Sequence, residues 1–167
     1  MDVLVVRHGI ALPREDAVRQ GMLDRDRPLT DKGRTRMKRI GRGLAKQTPG
    51  VVALITSPLR RAMETSEILA KAYGDLEQTE TAALLPDAEP SELAHFLAES
   101  ATESPVAVVG HEPHLGCWTS YCLTGDARSI ARLKKGGACL IRFEDAPGPA
   151  KGRLLWLLPP SVLRHMG

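Results

Sequence analysis

Short continuous apolar runs alternate along this chain with segments whose apolar residues recur at helical spacing. An apolar run of four to six residues predicts a strand that is buried on both faces of a sheet. The first four predicted strands are separated from one another by segments long enough for a helix. The predicted strands span residues 3–6, 51–56, 106–109, 138–143 and 154–158.

Helical stripes fill most of the intervals between these strands. Met37, Ile40 and Leu44 form a narrow stripe in a helix that Thr30 can cap. Further stripes predict helices over 59–73, 93–97 and 113–124. Two of these end at a glycine, the residue best suited to terminate a helix.

Strands that alternate with helices favour an α/β fold with a mostly parallel sheet and helices on both faces. The last two strands are separated only by residues 144–151, which is hairpin length, so we expect an antiparallel edge and a mixed sheet. The fold class is therefore a single-domain three-layer sandwich over residues 1–167. Residues 11–28 are polar and weakly periodic, which predicts a loop at the mouth of a site. The apolar run at 154–157 predicts core.

Composition excludes several classes of protein. The chain has 167 residues, is 43% hydrophobic and carries a formal charge of +3, too little to argue for nucleic-acid binding. Its first apolar run is too short for a signal peptide, and no run approaches the roughly 20 apolar residues of a membrane span. Three cysteines without a CxxC pair argue against a disulfide framework, so we expect a reducing cytoplasm.

Two motifs stand where predicted strands end, Arg7-His8-Gly9 after the first and Gly110-His111 after the third. Ligands of open α/β sheets bind beyond the carboxyl ends of the strands, so the two histidines are expected to share one pocket. A neutral imidazole at His8 can attack phosphorus and carry the phosphoryl group covalently. Gly9 allows a sharp turn and a close approach of phosphate. As an imidazolium, His111 could donate to phosphate oxygens, the alternative being a loop histidine with an ordinary hydrogen bond.

A third motif follows the predicted strand 51–56. Ser57-Pro58-Leu59-Arg60-Arg61-Ala62 places Arg61 near a helix amino terminus, with Thr65 one turn later. A guanidinium offers a planar fork to two phosphate oxygens. Arg60 is the competing candidate, as a solvated charge at the helix start.

A metal site is the competing interpretation of the second histidine motif. His111, His114 and Cys117 follow one another at three-residue steps. The spacing is not HExxH, Pro113 disturbs the geometry and only three ligands are local, so the sequence favours no metal.

The predicted helix over 32–46 carries seven basic residues and no acidic one. A solvated face is the simplest interpretation; attraction of an acidic partner is the alternative. Few aromatic residues are available for stacking, which disfavours nucleic acid.

Together these motifs resemble the histidine phosphatase superfamily. Arg7-His8-Gly9, Arg27-Pro28-Leu29-Thr30, Ser57–Ala62 with Thr65, and Val109-Gly110-His111 occur in that family's order across nearly the whole chain. The short length, Leu85-Pro86-Asp87 and Gly110-His111-Glu112-Pro113 look most like SixA-type phosphohistidine phosphatases.

The resemblance implies a phosphoglycerate mutase-like fold and no metal or organic cofactor. It implies that His8 is the phosphorylated nucleophile and that Arg7, Arg61 and His111 bind phosphate. Larger family members present an acidic proton donor. Asp87 and Glu89 lie in the corresponding stretch, outside a convincing motif, and could equally be solvated turn residues. An imidazole leaving group, with a reference pKa near ~6.5, needs less help from an acid than an alkoxide does.

The expected function is therefore removal of phosphate from a histidine of a phosphorelay or phosphotransfer protein, through phospho-His8. Phosphate or sulfate is expected to fit the same site. The alternatives are a phosphatase of small phosphate monoesters and, from another class, a non-catalytic phospho-ligand-binding module.

Overall fold

The computed structural model describes residues 1–100 and 105–167, and its centre is a six-stranded sheet. Continuous burial from Val3 to Val6 makes the first strand a central one, as its apolar sequence predicts. The strands are β1 (Asp2–Arg7), β2 (Ala53–Thr56), β3 (Gln78–Glu80), β4 (Val106–Gly110), β5 (Ala138–Phe143) and β6 (Gly152–Leu158).

The sheet is mixed, as predicted. Its strand order is β3-β2-β4-β1-β5-β6; the first four strands run parallel and the last two antiparallel to their neighbours. Strand β3 escaped prediction because it is only three exposed, polar residues at the edge. Because β5 runs antiparallel to β1, the start of β5 and the end of β1 lie at the same edge of the sheet, with Val6 opposite Ala138.

Helices cover both faces of the sheet. The α-helices are α1 (Arg14–Arg19), α2 (Asp31–Gln47), α3 (Arg60–Ala72), α4 (Pro90–Glu99), α5 (His114–Thr124) and α6 (Pro160–Met166). In β1, Leu4 and Val6 join a core with α2, α3 and α6, whereas Val3 and Val5 join a second core with α4 and α5. The predicted three-layer arrangement is therefore confirmed. No helix in the described part of the chain is both long enough and apolar enough to cross a membrane.

Two predictions about segments are wrong. Residues 11–28 contain helix α1 and a 3-10 helix, Asp24–Asp26; α1 buries only Ala17, so its apolar periodicity is too weak to detect. The run at 154–157 is not core as a whole. It lies on the edge strand β6, where Leu154, Leu155 and Leu157 are each more than a third exposed.

Candidate active site

The register of β1 and β4 brings the two histidine motifs together. These strands pair in parallel with Arg7 opposite Gly110, so His8 and His111 follow at the same sheet edge. The His8 backbone N–H donates to the Gly110 carbonyl at 3.1 Å. The centroids of the two imidazole rings are 5.0 Å apart, and the side chains are 6% and 2% exposed. One buried pocket therefore holds both rings.

His8 is oriented by its neighbour. Its Nδ1 lies 2.7 Å from the Gly9 carbonyl oxygen, which can only accept a hydrogen bond, so Nδ1 carries the proton. The Nε2 atom of a neutral ring then retains its lone pair. Burial is the main cause that lowers the pKa of His8 to about 3; the Gly9 carbonyl opposes this shift, and the positive charges of Arg61, Arg7 and Lys135 add to it. At neutral pH the ring is therefore uncharged.

His111 is held by a residue that follows β2. Its Nε2 lies 2.8 Å from Ser57 Oγ, and its Nδ1 is buried without a hydrogen-bond partner among the described residues. Burial, followed by the charges of His8 and Arg61, lowers the pKa of His111 to about 2. The ring is neutral until an anion enters.

A chain of hydrogen bonds joins the β1 turn to helix α3. The Gly9 N–H donates to Thr65 Oγ1 at 3.0 Å, and that hydroxyl donates to the Arg61 carbonyl at 2.7 Å. A Cβ at position 9 would come within 2.6 Å of Met37 Cγ on α2. Gly9 is thus required by packing against α2 at the turn that follows His8.

Arg61 is in the first turn of α3 and only 4% exposed. Its Nη1 donates to the Asp24 carbonyl at 3.0 Å and lies 3.4 Å from Asp24 Oδ2. The other candidate, Arg60, is half exposed and bonds Glu64 Oε1 at 2.9 Å. Of the two arginines, Arg61 is the one at the site.

Arg7 directly precedes His8 and donates from Nη1 to the Leu133 carbonyl at 2.7 Å. Burial lowers the pKa of both site arginines. The Nε atoms of Arg7 and Arg61, like His111 Nδ1, are buried with no partner in the described residues. Buried donors without partners are costly, and an anion with several acceptor oxygens would satisfy them.

The two candidate acids, Asp87 and Glu89, belong to the segment that leads into helix α4. Asp87 and Glu89 are exposed, and neither forms a hydrogen bond or ion pair with His8 or His111 within residues 1–100 and 105–167. Glu89 is the N-cap residue of α4, and its N–H donates to Glu92 Oε1 at 3.3 Å. The contacts of Glu89 are therefore those of a helix start.

Of the candidate metal ligands, His114 is buried near His111, and its charge acts on that ring. His114 is 2% exposed, and its surroundings are the backbone of Glu89 and the charge of Glu92. Across the described residues, no group of three or more histidine, cysteine, aspartate and glutamate side chains is placed to hold a metal ion.

Three further charged residues around the pocket were not predicted as site residues. Asp24 Oδ1 accepts from Arg14 and Arg27, at 3.0 Å each. Arg27 stands in a family motif, but its place beside the pocket depends on the fold of 11–28, which periodicity does not reveal. Lys135 precedes β5, and the predicted antiparallel edge was the signal that could have placed it at this end of the sheet.

Comparisons with known proteins agree with this geometry. Residues 3–85 match the model of the histidine phosphatase superfamily (branch 1). The chain is 36% identical over 147 residues, 85% of each protein, to an uncharacterized protein of Picosynechococcus sp. (strain ATCC 27264 / PCC 7002 / PR-6).

Two solved structures share the architecture. The protein histidine phosphatase SixA complexed with tungstate superposes with a TM-score of 0.82 at 20% identity, over 98% of this chain and 99% of that one. A mycobacterial glucosyl-3-phosphoglycerate phosphatase, complexed with VO3, gives 0.70 at 16% identity, over 95% and 99%. At such identity the likeness shows the fold, which is phosphoglycerate mutase-like as predicted.

Proposed function

The chain belongs to the histidine phosphatase superfamily, and on that premise we propose that it is a phosphohistidine phosphatase acting through phospho-His8. The observation that carries the proposal is the state of His8. Its Nδ1 proton is directed to the Gly9 carbonyl and burial keeps the ring neutral, so Nε2 has a free lone pair. That is what a nucleophile toward phosphorus needs.

The first step moves the phosphoryl group between two imidazoles. The Nε2 lone pair of His8 forms a bond to phosphorus while the bond from phosphorus to the substrate nitrogen breaks, and its electron pair stays on the substrate ring. A substrate imidazole that carries a proton on its other nitrogen leaves as neutral imidazole. Water then attacks phospho-His8, releasing orthophosphate and restoring the neutral ring.

Three side chains would stabilise the charge on the transferred group. Arg7 and Arg61 are close enough for their charges to act on His8, and both have a buried Nε without a partner in the described residues. A phosphoryl dianion beside His111 would raise the pKa of that ring, which could then donate to a phosphate oxygen. No metal ion is required in this scheme.

The carboxylate beside Arg61 supports a phosphoramidate over a phosphate ester as the substrate. Asp24 is the carboxylate bonded to Arg61; burial raises its pKa, but Arg14, Arg61 and Arg27 lower it overall, so it is ionised at neutral pH. An ionised carboxylate cannot protonate an alkoxide leaving group. Imidazole leaves without such help, which supports phosphohistidine as the substrate. The likeness to SixA supports the same class.

The test compares leaving groups and looks for the intermediate. Wild type, His8→Ala and the control His95→Asn, an exposed histidine on α4, are incubated with phosphoimidazole and with glycerol phosphate. We expect kcat/KM with phosphoimidazole to be at least 100-fold higher than with glycerol phosphate. Radiolabelled phosphoimidazole should leave an acid-labile label on wild type and on His95→Asn. His8→Ala should show neither turnover nor label.

Two results would overturn the proposal. Comparable turnover of glycerol phosphate would identify a phosphomonoesterase instead. An unlabelled wild type that still binds orthophosphate would identify a phospho-ligand-binding module.

A further inference from the structure

The turn before β5 is tied to the nucleophile by its backbone. The Gly136 N–H lies 3.1 Å from both the Arg7 and the His8 carbonyl oxygens, and the Arg7 N–H donates to the Gly137 carbonyl at 3.0 Å. Arg7 Nη1 also bonds the Leu133 carbonyl. Gly136 has a φ of 77°, which favours glycine, and its α-carbon faces Ile40. The turn is therefore fixed against the site.

This turn presents one lysine to the pocket. Lys135 directly precedes the anchored Gly136, and the charges of Arg7, Arg27 and Arg61 all act on its ammonium group. Its charge in turn acts on His8. The side chain is exposed, whereas Arg61 is buried, so Lys135 stands at the rim of the pocket and Arg61 within it.

The charges at the site leave Lys135 without a counterion. Arg27 is paired with Asp24, which also accepts from Arg14 and lies beside Arg61. Glu112 already acts on Arg7 with the opposite charge, and a bound phosphoryl dianion would add negative charge beside Arg7 and Arg61. Lys135 forms no ion pair with any carboxylate among residues 1–100 and 105–167, and only cations act on it there. A second negative charge on the substrate would complete the site.

We propose that Lys135 binds an acidic side chain that flanks the phosphohistidine of a protein substrate. The inference rests on the proposed function and adds to it a preference for one kind of protein substrate. An exposed, flexible ammonium at the rim suits a carboxylate on a neighbouring residue of the substrate, while the buried arginines hold the transferred group. Lys135 is then a specificity residue and takes no part in the chemical step.

The experiment uses two blocked phosphohistidine peptides that differ only in having glutamate or glutamine on both sides of the phosphohistidine. The kcat/KM of each is measured at low and high salt for wild type, Lys135→Ala and Lys134→Ala. Lys134 is the matched control, an exposed lysine one position earlier on the same turn. We expect wild type and Lys134→Ala to prefer the glutamate peptide about 3- to 10-fold at low salt, and less at high salt. Lys135→Ala should lose the preference, through a fall in kcat/KM that is clearly larger on the glutamate peptide than on the glutamine peptide.

Each other outcome has a distinct meaning. A wild type without preference, or equal losses on both peptides in Lys135→Ala, would overturn the inference, the second result assigning Lys135 to the transferred phosphoryl group. A preference that Lys134→Ala also loses would overturn it as well, by showing a general effect of charge. A wild type that cleaves neither peptide would instead refute the proposed function.

Discussion

Burial of neutral histidines at the site predicts a protein that loses stability in mild acid. In the folded state the pKa of His8 is about 3 and that of His111 about 2, against about 6.5 in an unfolded chain. Between these values the unfolded state binds protons that the folded state does not. The stability that the neutral rings contribute is therefore present above pH 6.5 and is lost progressively as the pH falls toward 3.

Between pH 7.0 and pH 5.5, the loss of unfolding free energy depends only on the pKa of histidine in the unfolded chain. From pH 7.0 to pH 5.5 the folded rings stay neutral while the unfolded ones become protonated, which costs about 1.2 kcal/mol of unfolding free energy for each histidine. His8 and His111 together should cost roughly 2.5 kcal/mol on the same basis. His114, whose pKa burial also lowers, changes stability in the same direction.

Urea unfolding at pH 7.0 and pH 5.5 measures this effect directly. His8→Asn should shrink the difference between the two free energies by about 1.2 kcal/mol, and so should His111→Gln. His95→Asn, which changes an exposed histidine, should leave the difference as it is in wild type. An unchanged pH dependence in both site variants would refute the assignment of buried, neutral rings.

Three other predictions concern the phosphate contacts, the turn after β1 and the independence of the reaction from metal ions. Arg61→Lys should raise the inhibition constant of orthovanadate about 10- to 100-fold, because an ammonium cannot offer the fork of the guanidinium, whereas Arg60→Lys should change it little. Thr65→Val should lower the unfolding free energy by about 1–3 kcal/mol, since it leaves the Gly9 N–H unpaired, and Thr65→Ser should recover most of that in urea titrations. Exhaustive dialysis against EDTA should leave the rate with phosphoimidazole unchanged; a loss that zinc or magnesium restores would contradict the metal-free mechanism.

The central strands were predictable because burial on both faces leaves no room for polar residues. Val3–Val6 is apolar throughout for that reason, and its alternate side chains serve two separate cores. Elements that bury little carry no such signal. Helix α6 buries only Leu163 and α1 only Ala17, so neither has a stripe to detect.

The missed helix α6 also explains a glycine that the sequence left unexplained. A Cβ at Gly43 on α2 would meet the Leu163 carbonyl of α6, whereas a Cβ at the neighbouring Gly41 would contact Ala72 of α3 at 3.1 Å. Both glycines therefore allow close packing between helices. The contact at Gly43 could not be predicted without knowing that α6 returns across α2.

The residues around the site also differ in whether the sequence predicts their positions. His8 and His111 each follow a central strand, so strand pairing alone brings them to one edge, and the sequence reveals both. Lys135 and Asp24 reach the pocket through turns whose positions depend on tertiary contacts. Lys135 is placed by hydrogen bonds from Gly136 and Gly137 to the β1 turn, and no pattern of hydrophobic residues encodes these.

Asp24, in the segment 14–26, contacts the arginine that a phosphoryl group would bind under the proposed function. Its carbonyl and carboxylate both engage Arg61 at the first turn of α3, so an incoming phosphoryl group competes with an anion that is already tethered there. Without that carboxylate, Arg14, Arg27 and Arg61 would repel one another. The same contact therefore stabilises this cluster of arginines and would weaken the binding of a phosphate ion to Arg61. A phosphohistidine that also gained contacts at the rim would overcome this competition better than free phosphate, which favours release of the product over its retention.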